Sequence, residues 1–161
     1  MLTTHEIEEY LLQNFKIIYA LSTLCPVFLI GGAIRDISLG NEPKNLDFVC
    51  LDNNNNIEFF LEKFQLSYEI NKMKGYKINY KEITIDLWKT RDLYTAVEYN
   101  IDGLFYDVAN SQLIPFGYFD ALENGLRKVN EKNNIKDQHR QQERKLKLQK
   151  YISQAKRNRR S

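Results

Sequence analysis

Cysteine, histidine and proline are scarce in this chain, at two, two and three of 161 residues. Cys25 and Cys50 both sit in apolar runs and read as buried, reduced thiols, which excludes a disulfide framework. With His5 and His139 far away in sequence, the two cysteines make no zinc spacing. No run approaches the roughly 20 apolar residues that a membrane-spanning helix needs. The stretch Met1-Leu2-Thr3-Thr4-His5-Glu6 has no basic region and no small-residue cleavage site, and reads as a helix start. The expectation is an intracellular protein of the cytoplasm or an organelle matrix, not secreted and without a membrane partner.

What the chain has is enough apolar material for one core: 43% hydrophobic residues, with nine Phe and ten Tyr. Its net charge of +2 hides an asymmetry. Residues 1 to 126 hold 10 Lys and Arg against 18 Asp and Glu, whereas residues 127 to 161 hold 13 against 3. An acidic body carrying a basic tail has two readings. Either the tail meets phosphate, or it folds back on its own acidic domain.

Thr3 and Glu6 have capping-box spacing, and Ile7, Tyr10, Leu11, Ile18 and Leu21 follow a helical period, so a helix is expected over residues 4 to 23. Pro26 stops it. A short buried strand follows over residues 27 to 30, then a helix over 33 to 39 closed by Gly40, a strand over 46 to 51 and a helix over 57 to 64. Residues 67 to 72, 76 to 80 and 82 to 88 read as strands. In the last, Ile83, Ile85 and Leu87 alternate with Thr84, Asp86 and Trp88, so Asp86 projects from one sheet face, while Trp88 reads as core. Residues 92 to 106 are expected to be partly helical, Pro115-Phe116-Gly117 to turn, and 119 to 126 to form a short helix. Residues 135 to 157 have neither Gly nor Pro and make one long basic helix, too weakly amphipathic to pack along its whole length.

The segment with most chemical content is Val27-Phe28-Leu29-Ile30-Gly31-Gly32-Ala33-Ile34-Arg35-Asp36, where an apolar strand runs into two glycines and a helix start. Glycines in such a turn let the backbone approach phosphate oxygens closely, and a helix N-terminus favours anions. Asp47, in the next strand, could hold a metal against those phosphates. Residues i and i+2 of a strand share a face, so Asn45-Leu46-Asp47 presents an amide beside the carboxylate. Asp86 becomes a third ligand if its strand is adjacent.

These residues carry a resemblance. Gly31-Gly32-Ala33-Ile34-Arg35-Asp36, then Leu39-Gly40, then Lys44-Asn45-Leu46-Asp47, resembles the head domain of the bacterial poly(A) polymerase and CCA-adding tRNA nucleotidyltransferase family. That family reads Gly-Gly-x-x-Arg-Asp, Leu-x-Gly and Asp-x-Asp. Ile101-Asp102-Gly103-Leu104-Phe105-Tyr106-Asp107 is similar to its Ile-Asn-Ala-Leu-x-Tyr-Asp, and Leu113-Ile114-Pro115-Phe116-Gly117 with Asp120-Ala121-Leu122 to its Ile-Asp-Pro-Phe-Gly-Gly-x-x-Asp-Leu. Leu126-Arg127-Lys128-Val129 resembles the strand that leaves the head. Asp137 and Arg140 stand where the family's Glu-Asp-x-x-Arg reads the incoming base.

The resemblance implies an α/β (α+β) fold, a small mixed sheet flanked by helices, with a head domain over residues 1–130 and a basic helix over 131–161. It implies Gly31, Gly32, Arg35 and Asp36 at a nucleoside triphosphate, and Asp47 and Asp86 as catalytic carboxylates. Asn45, Asp47 and Asp86 would then hold Mg²⁺ or Mn²⁺, and Asp137 and Arg140 would meet the base. The basic tail, through Arg144, Lys145, Lys147, Lys150, Lys156, Arg157, Arg159 and Arg160, is the expected RNA contact.

Three departures bear on activity. Asn45 replaces the first metal carboxylate, Ala96-Val97-Glu98 stands near the family's Arg-Arg-Asp, and Lys136 replaces the glutamate of the base-reading motif. The expected function is nucleotide addition to an RNA 3′ end or a small acceptor, with impaired activity. The alternative is a catalytically degenerate head acting as an RNA- or protein-binding subunit, with a protein partner supplying the missing neck and body.

Overall fold

A computed structural model describes residues 4–130 and 138–160, the side chains of 159 and 160 excepted. Seven strands form one mixed sheet: β1 (Val27–Ile30), β2 (Asn45–Cys50), β3 (Tyr68–Ile70), β4 (Tyr76–Tyr80), β5 (Ile83–Lys89), β6 (Leu104–Asp107) and β7 (Gln112–Pro115). Their order is β3-β4-β5-β2-β1-β6-β7, with β2 and β5 parallel and every other pair antiparallel. The helices are α1 (Thr4–Asn14), α2 (Ile18–Ser22), α3 (Gly32–Ser38), α4 (Asn56–Lys63), α5 (Tyr118–Asn124) and α6 (Gln138–Arg160). No described helix is long and apolar enough to cross a membrane.

The period-2 alternation of the central strands divides the sheet into two unlike faces. Leu46, Phe48 and Cys50 of β2, Val27 and Leu29 of β1, and Ile85 and Leu87 of β5 all enter the main core beneath α1 to α4. The opposite face carries Asn45, Asp47 and Val49 of β2 beside Thr84, Asp86 and Trp88 of β5, each pair in register. Among the described residues, a smaller cluster centred on Phe28, Val49, Val97 and Phe105 covers part of that second face. The carboxylates are therefore held by strands whose other side is fixed in the core, yet they are not themselves buried under a helix layer.

The helix expected over residues 4 to 23 is two helices. The Asn14 side chain donates to the Tyr10 carbonyl at 2.9 Å, and the backbone then tightens to i→i+3 bonds, Ile18 to Phe15 and Tyr19 to Lys16. Residues 92 to 106 become two single 3₁₀ turns, Leu93–Ala96 and Asn100–Asp102, before β6. The Leu113–Pro115 stretch is strand β7, and the expected strand at 126 to 129 is reduced to one bridge, Tyr99 to Lys128. Cys25 and Cys50 are buried free thiols, as expected.

Asn100 ties this irregular region together. It is fully buried, donates to Asp120 and to the Gly125 carbonyl at 3.0 Å each, and accepts from the Arg127 amide at 2.9 Å. The following turn needs glycine for a steric reason, since a Cβ on Gly103 would fall 1.8 Å from the Phe116 carbonyl oxygen. That atom is backbone and cannot rotate away. A Gly103→Ala substitution is expected to cost about 3 kcal/mol, and thermal unfolding will show it as a fall of several degrees.

Candidate active site

Three structural devices meet at the end of β1. The first is the Gly31-Gly32 turn. Gly31 has φ +75°, a conformation that other residues adopt only with strain, and it lets the chain reverse directly from β1 into α3. A Cβ on Gly31 would lie 3.7 Å from Asp47 Oδ2, and one on Gly32 would lie 3.6 Å from Arg35 Nη2. The turn thus runs, bare of side chains, between a carboxylate and a guanidinium.

The second device is the carboxyl pair. Asp47 lies opposite Ile30 across the β1–β2 ladder and opposite Asp86 across the β2–β5 ladder. The side chains of Asp47 and Asp86 are therefore neighbours on one face of the sheet. Burial pushes the Asp86 carboxyl above its ordinary range, against the pull of Lys77, its register partner on β4, and of the Asp47 contact. Two carboxyls on one sheet face in register are a fitting pair of oxygen donors for a cation. Asn45, on the same face and one pleat before Asp47, is exposed at the start of β2. Among the described residues there is no group of three His, Cys, Asp or Glu side chains that could hold a metal.

A stability consequence follows. A carboxyl whose folded pKa is raised stabilises the fold most below its unfolded value, about 3.9, and loses that contribution as pH rises through its folded value. At neutral pH ionised Asp86 is a net cost, so Asp86→Asn is expected to raise the melting temperature by about 1–3 °C in metal-free buffer. The figure is small because Asp86 is only partly buried and solvent screens it. A melting point that falls in EDTA would contradict this.

The third device is an arginine bracket. Asp102 is 8% exposed, and both its carboxylate oxygens are occupied. Arg35 Nη1 donates to Oδ1 at 3.0 Å, and Arg144 Nη2 donates to Oδ2 at 2.9 Å, where the Tyr99 amide also donates at 3.1 Å. Arg144 Nε lies 3.9 Å from Glu98. Arg35, Asp102 and Arg144 line a cavity of about 350 Å³ together with the Gly31-Gly32 turn, Asp47, Trp88 and Met73. Lys89 also borders the cavity, but its ammonium is turned to Glu58 at 2.9 Å and Asp52 at 3.8 Å.

The structure therefore brings together Gly31, Gly32, Arg35 and Asp47 in the cavity wall, with Asp86 opposite Asp47 and Asn45 one pleat away. Asp36 is in α3 but does not border the cavity. Arg140 is exposed and does not border it either, and Asp137 lies outside the described residues, as do the side chains of Arg159 and Arg160. Lys145, Lys147, Lys150 and Arg157 face solvent along α6, and Lys156 is half-buried. Arg144 departs from that set, being tied to Asp102 and Glu98 at the cavity. Trp88 is half-buried beside the cavity rather than in the core.

Sequence reasoning missed Asp102, Glu98 and the cavity role of Arg144. Asp102 replaces the Asn of the resembling motif, and that exchange was the available signal. Nothing local distinguished Arg144 from its neighbours in a basic run.

The basic tail does fold back on its own domain, but only in part. Leu148, Tyr151 and Ile152 of α6 are buried, and the Tyr151 hydroxyl meets that of Tyr118 in α5 at 2.7 Å. Arg35 lies 5.8 Å from the Tyr151 ring centre, so α6 also packs on the residue next to the glycine turn.

No family model matches the chain, and no curated protein matches it significantly. Solved structures do. A Thermotoga maritima CCA-adding enzyme in complex with tRNA superposes with a TM-score of 0.58 and 20% identity, over 79% of this chain and 36% of that one. A CCA-adding enzyme complexed with CTP gives 0.55 and 19%, over 73% and 34%. A tRNA nucleotidyltransferase complexed with a primer tRNA and an incoming ATP analogue gives 0.54 and 17%, over 67% and 36%. The chain spans about a third of the length of these proteins. Over about three quarters of its length the chain has the head-domain fold of the CCA-adding tRNA nucleotidyltransferases.

Proposed function

We propose that this protein is a nucleotidyltransferase with a weakened metal centre, which binds a nucleoside triphosphate in the Gly31–Arg35–Asp47 cavity and transfers the nucleotide to an RNA 3′ end or a small hydroxyl acceptor. The observation that carries the reading is the Gly31-Gly32 turn lying bare between the Asp47 carboxylate and the Arg35 guanidinium. Polyphosphate oxygens need close backbone approach and a fixed cation on one side, and a carboxylate to hold a divalent ion on the other.

The carboxyl pair supports the metal assignment. Asp47 and Asp86 stand opposite each other on one sheet face, and Mg²⁺ is commonly held by one or two carboxylates with substrate phosphates completing its shell. Asn45 would add a neutral oxygen. This donor set fits one Mg²⁺ or Mn²⁺, which would supply charge neutralisation at the reacting phosphate. Every other task falls to the chain itself. The glycine turn admits the phosphates, Arg35 orients them, and the strands β2 and β5 hold both carboxyls at a fixed separation.

Two features support reduced activity and weak base discrimination. The metal face has one carboxylate fewer than an Asp-x-Asp strand would give, and Arg140 stands away from the cavity. Lys145, Lys147 and Lys150, exposed on α6, are the proposed contact for an RNA acceptor, with salt-dependent and weakly sequence-specific binding.

The test is transfer of labelled ATP and CTP to a mixed RNA pool in Mg²⁺ or Mn²⁺. Slow, metal-dependent extension by the wild type is expected. No extension at any metal concentration, with no binding of either nucleotide, would overturn the reading.

A further inference from the structure

We infer that Arg144, delivered by α6, is the second cation of the polyphosphate site, and that Asp102 is the residue that aims it there. The inference rests on the triphosphate reading above. It adds a ligand from a segment whose sequence looks like an undifferentiated basic tail.

The geometry is specific. One buried carboxylate receives a guanidinium on each oxygen, Arg35 at 3.0 Å and Arg144 at 2.9 Å. Both guanidiniums border the cavity that holds the glycine turn. A guanidinium has five N–H donors, and Asp102 takes one from each, so most of the fork on both sides stays available for phosphate oxygens. Asp102 and Glu98 together balance the two arginine charges, so what Arg144 adds to the cavity is aimed N–H donors rather than net positive charge. The segment Asp92 to Glu98, which closes this wall, contains no basic residue. The guanidinium on that wall besides Arg35 is the one that α6 brings in.

Arg144 is not a loosely placed surface charge. Leu148, one turn further along α6, is buried, and Tyr151 is fixed by its hydroxyl contact with Tyr118 and by the Arg35 guanidinium over its ring. Packing of α6 thus sets the position of Arg144, while its side chain stays 45% exposed and able to meet a ligand.

Inorganic tripolyphosphate in EDTA isolates the arginines from any metal, and ATP with Mg²⁺ reports the complete site. Calorimetric titration of the wild type, Arg35→Ala, Arg144→Ala, Arg144→Lys and Glu98→Gln is decisive, with thermal unfolding of each as a check on the fold. Arg144→Ala is expected to weaken tripolyphosphate binding about tenfold, with partial recovery in Arg144→Lys. Glu98→Gln, which frees Arg144 from a competing carboxylate, is expected to tighten binding about twofold or more. The same Glu98→Gln change placed on Arg144→Ala is expected to give a smaller gain, because only the loss of a nearby negative charge then remains. Unchanged binding in Arg144→Ala and Glu98→Gln, alongside loss in Arg35→Ala, would overturn this inference and leave the triphosphate reading standing. Absence of tripolyphosphate and ATP binding by the wild type would overturn both.

Discussion

Replacing Asp47 with alanine will remove the Mg²⁺ dependence of ATP binding and reduce nucleotidyl transfer by about a hundredfold or more. Asp47 is where every part of the site meets. It faces the Gly31 turn at one edge of β2 and stands opposite Asp86 at the other. Its neighbours Leu46 and Phe48 are fully buried, so the strand cannot shift to bring another group into its place. Metal-free tripolyphosphate binding should survive the change, because the arginine wall is separate from the carboxyl pair. Titration of ATP with and without Mg²⁺, alongside the EDTA measurement, distinguishes loss of the ion from loss of the fold. Mg²⁺-dependent binding that persists in Asp47→Ala would place the metal elsewhere and contradict the site proposed here.

Asn45→Asp should act in the opposite direction, raising Mg²⁺ affinity and transfer by about tenfold. Asn45 shares the Asp47 face and pairs in register with Thr84, one pleat from Asp86, so a carboxylate there faces the same ion. A carboxylate about 5 Å from a divalent ion contributes roughly 7 kcal/mol at an effective dielectric near 20, and repulsion from Asp47 and Asp86, with the cost of desolvation, offsets most of it. That repulsion gives a second readout. In EDTA the variant should melt below the wild type, and added Mg²⁺ should reverse the order, since only the ion relieves three clustered carboxylates. A variant with no gain in Mg²⁺ response would show that Asn45 is too far out on the exposed strand end to contribute.

Much of the main-core side of the fold was legible in sequence because it is periodic. Ile83, Ile85 and Leu87 alternate with Thr84, Asp86 and Trp88, and this alone sends Asp86 to the face opposite the main core. The Gly31-Gly32 turn was legible because a positive φ at a strand-to-helix reversal calls for glycine. Residues 92 to 115 were not legible. Their order comes from Asn100, whose amide joins Asp120, Gly125 and Arg127, up to 27 residues away. No local pattern reports a partner at that distance.

The site divides the same way. The sequence by itself determined the glycine turn, the Asn45-Leu46-Asp47 face and the identity of the candidate ligands, because each depends on spacing within one element. Only the tertiary structure decided that β5 lies parallel to β2 with Asp86 against Asp47, that Arg140 stands away from the cavity, and that Arg144 comes back to it through Asp102. Those are contacts between elements, set by sheet order and by where Leu148 and Tyr151 find a core to bury in, and a basic run reads identically whether its helix docks or not.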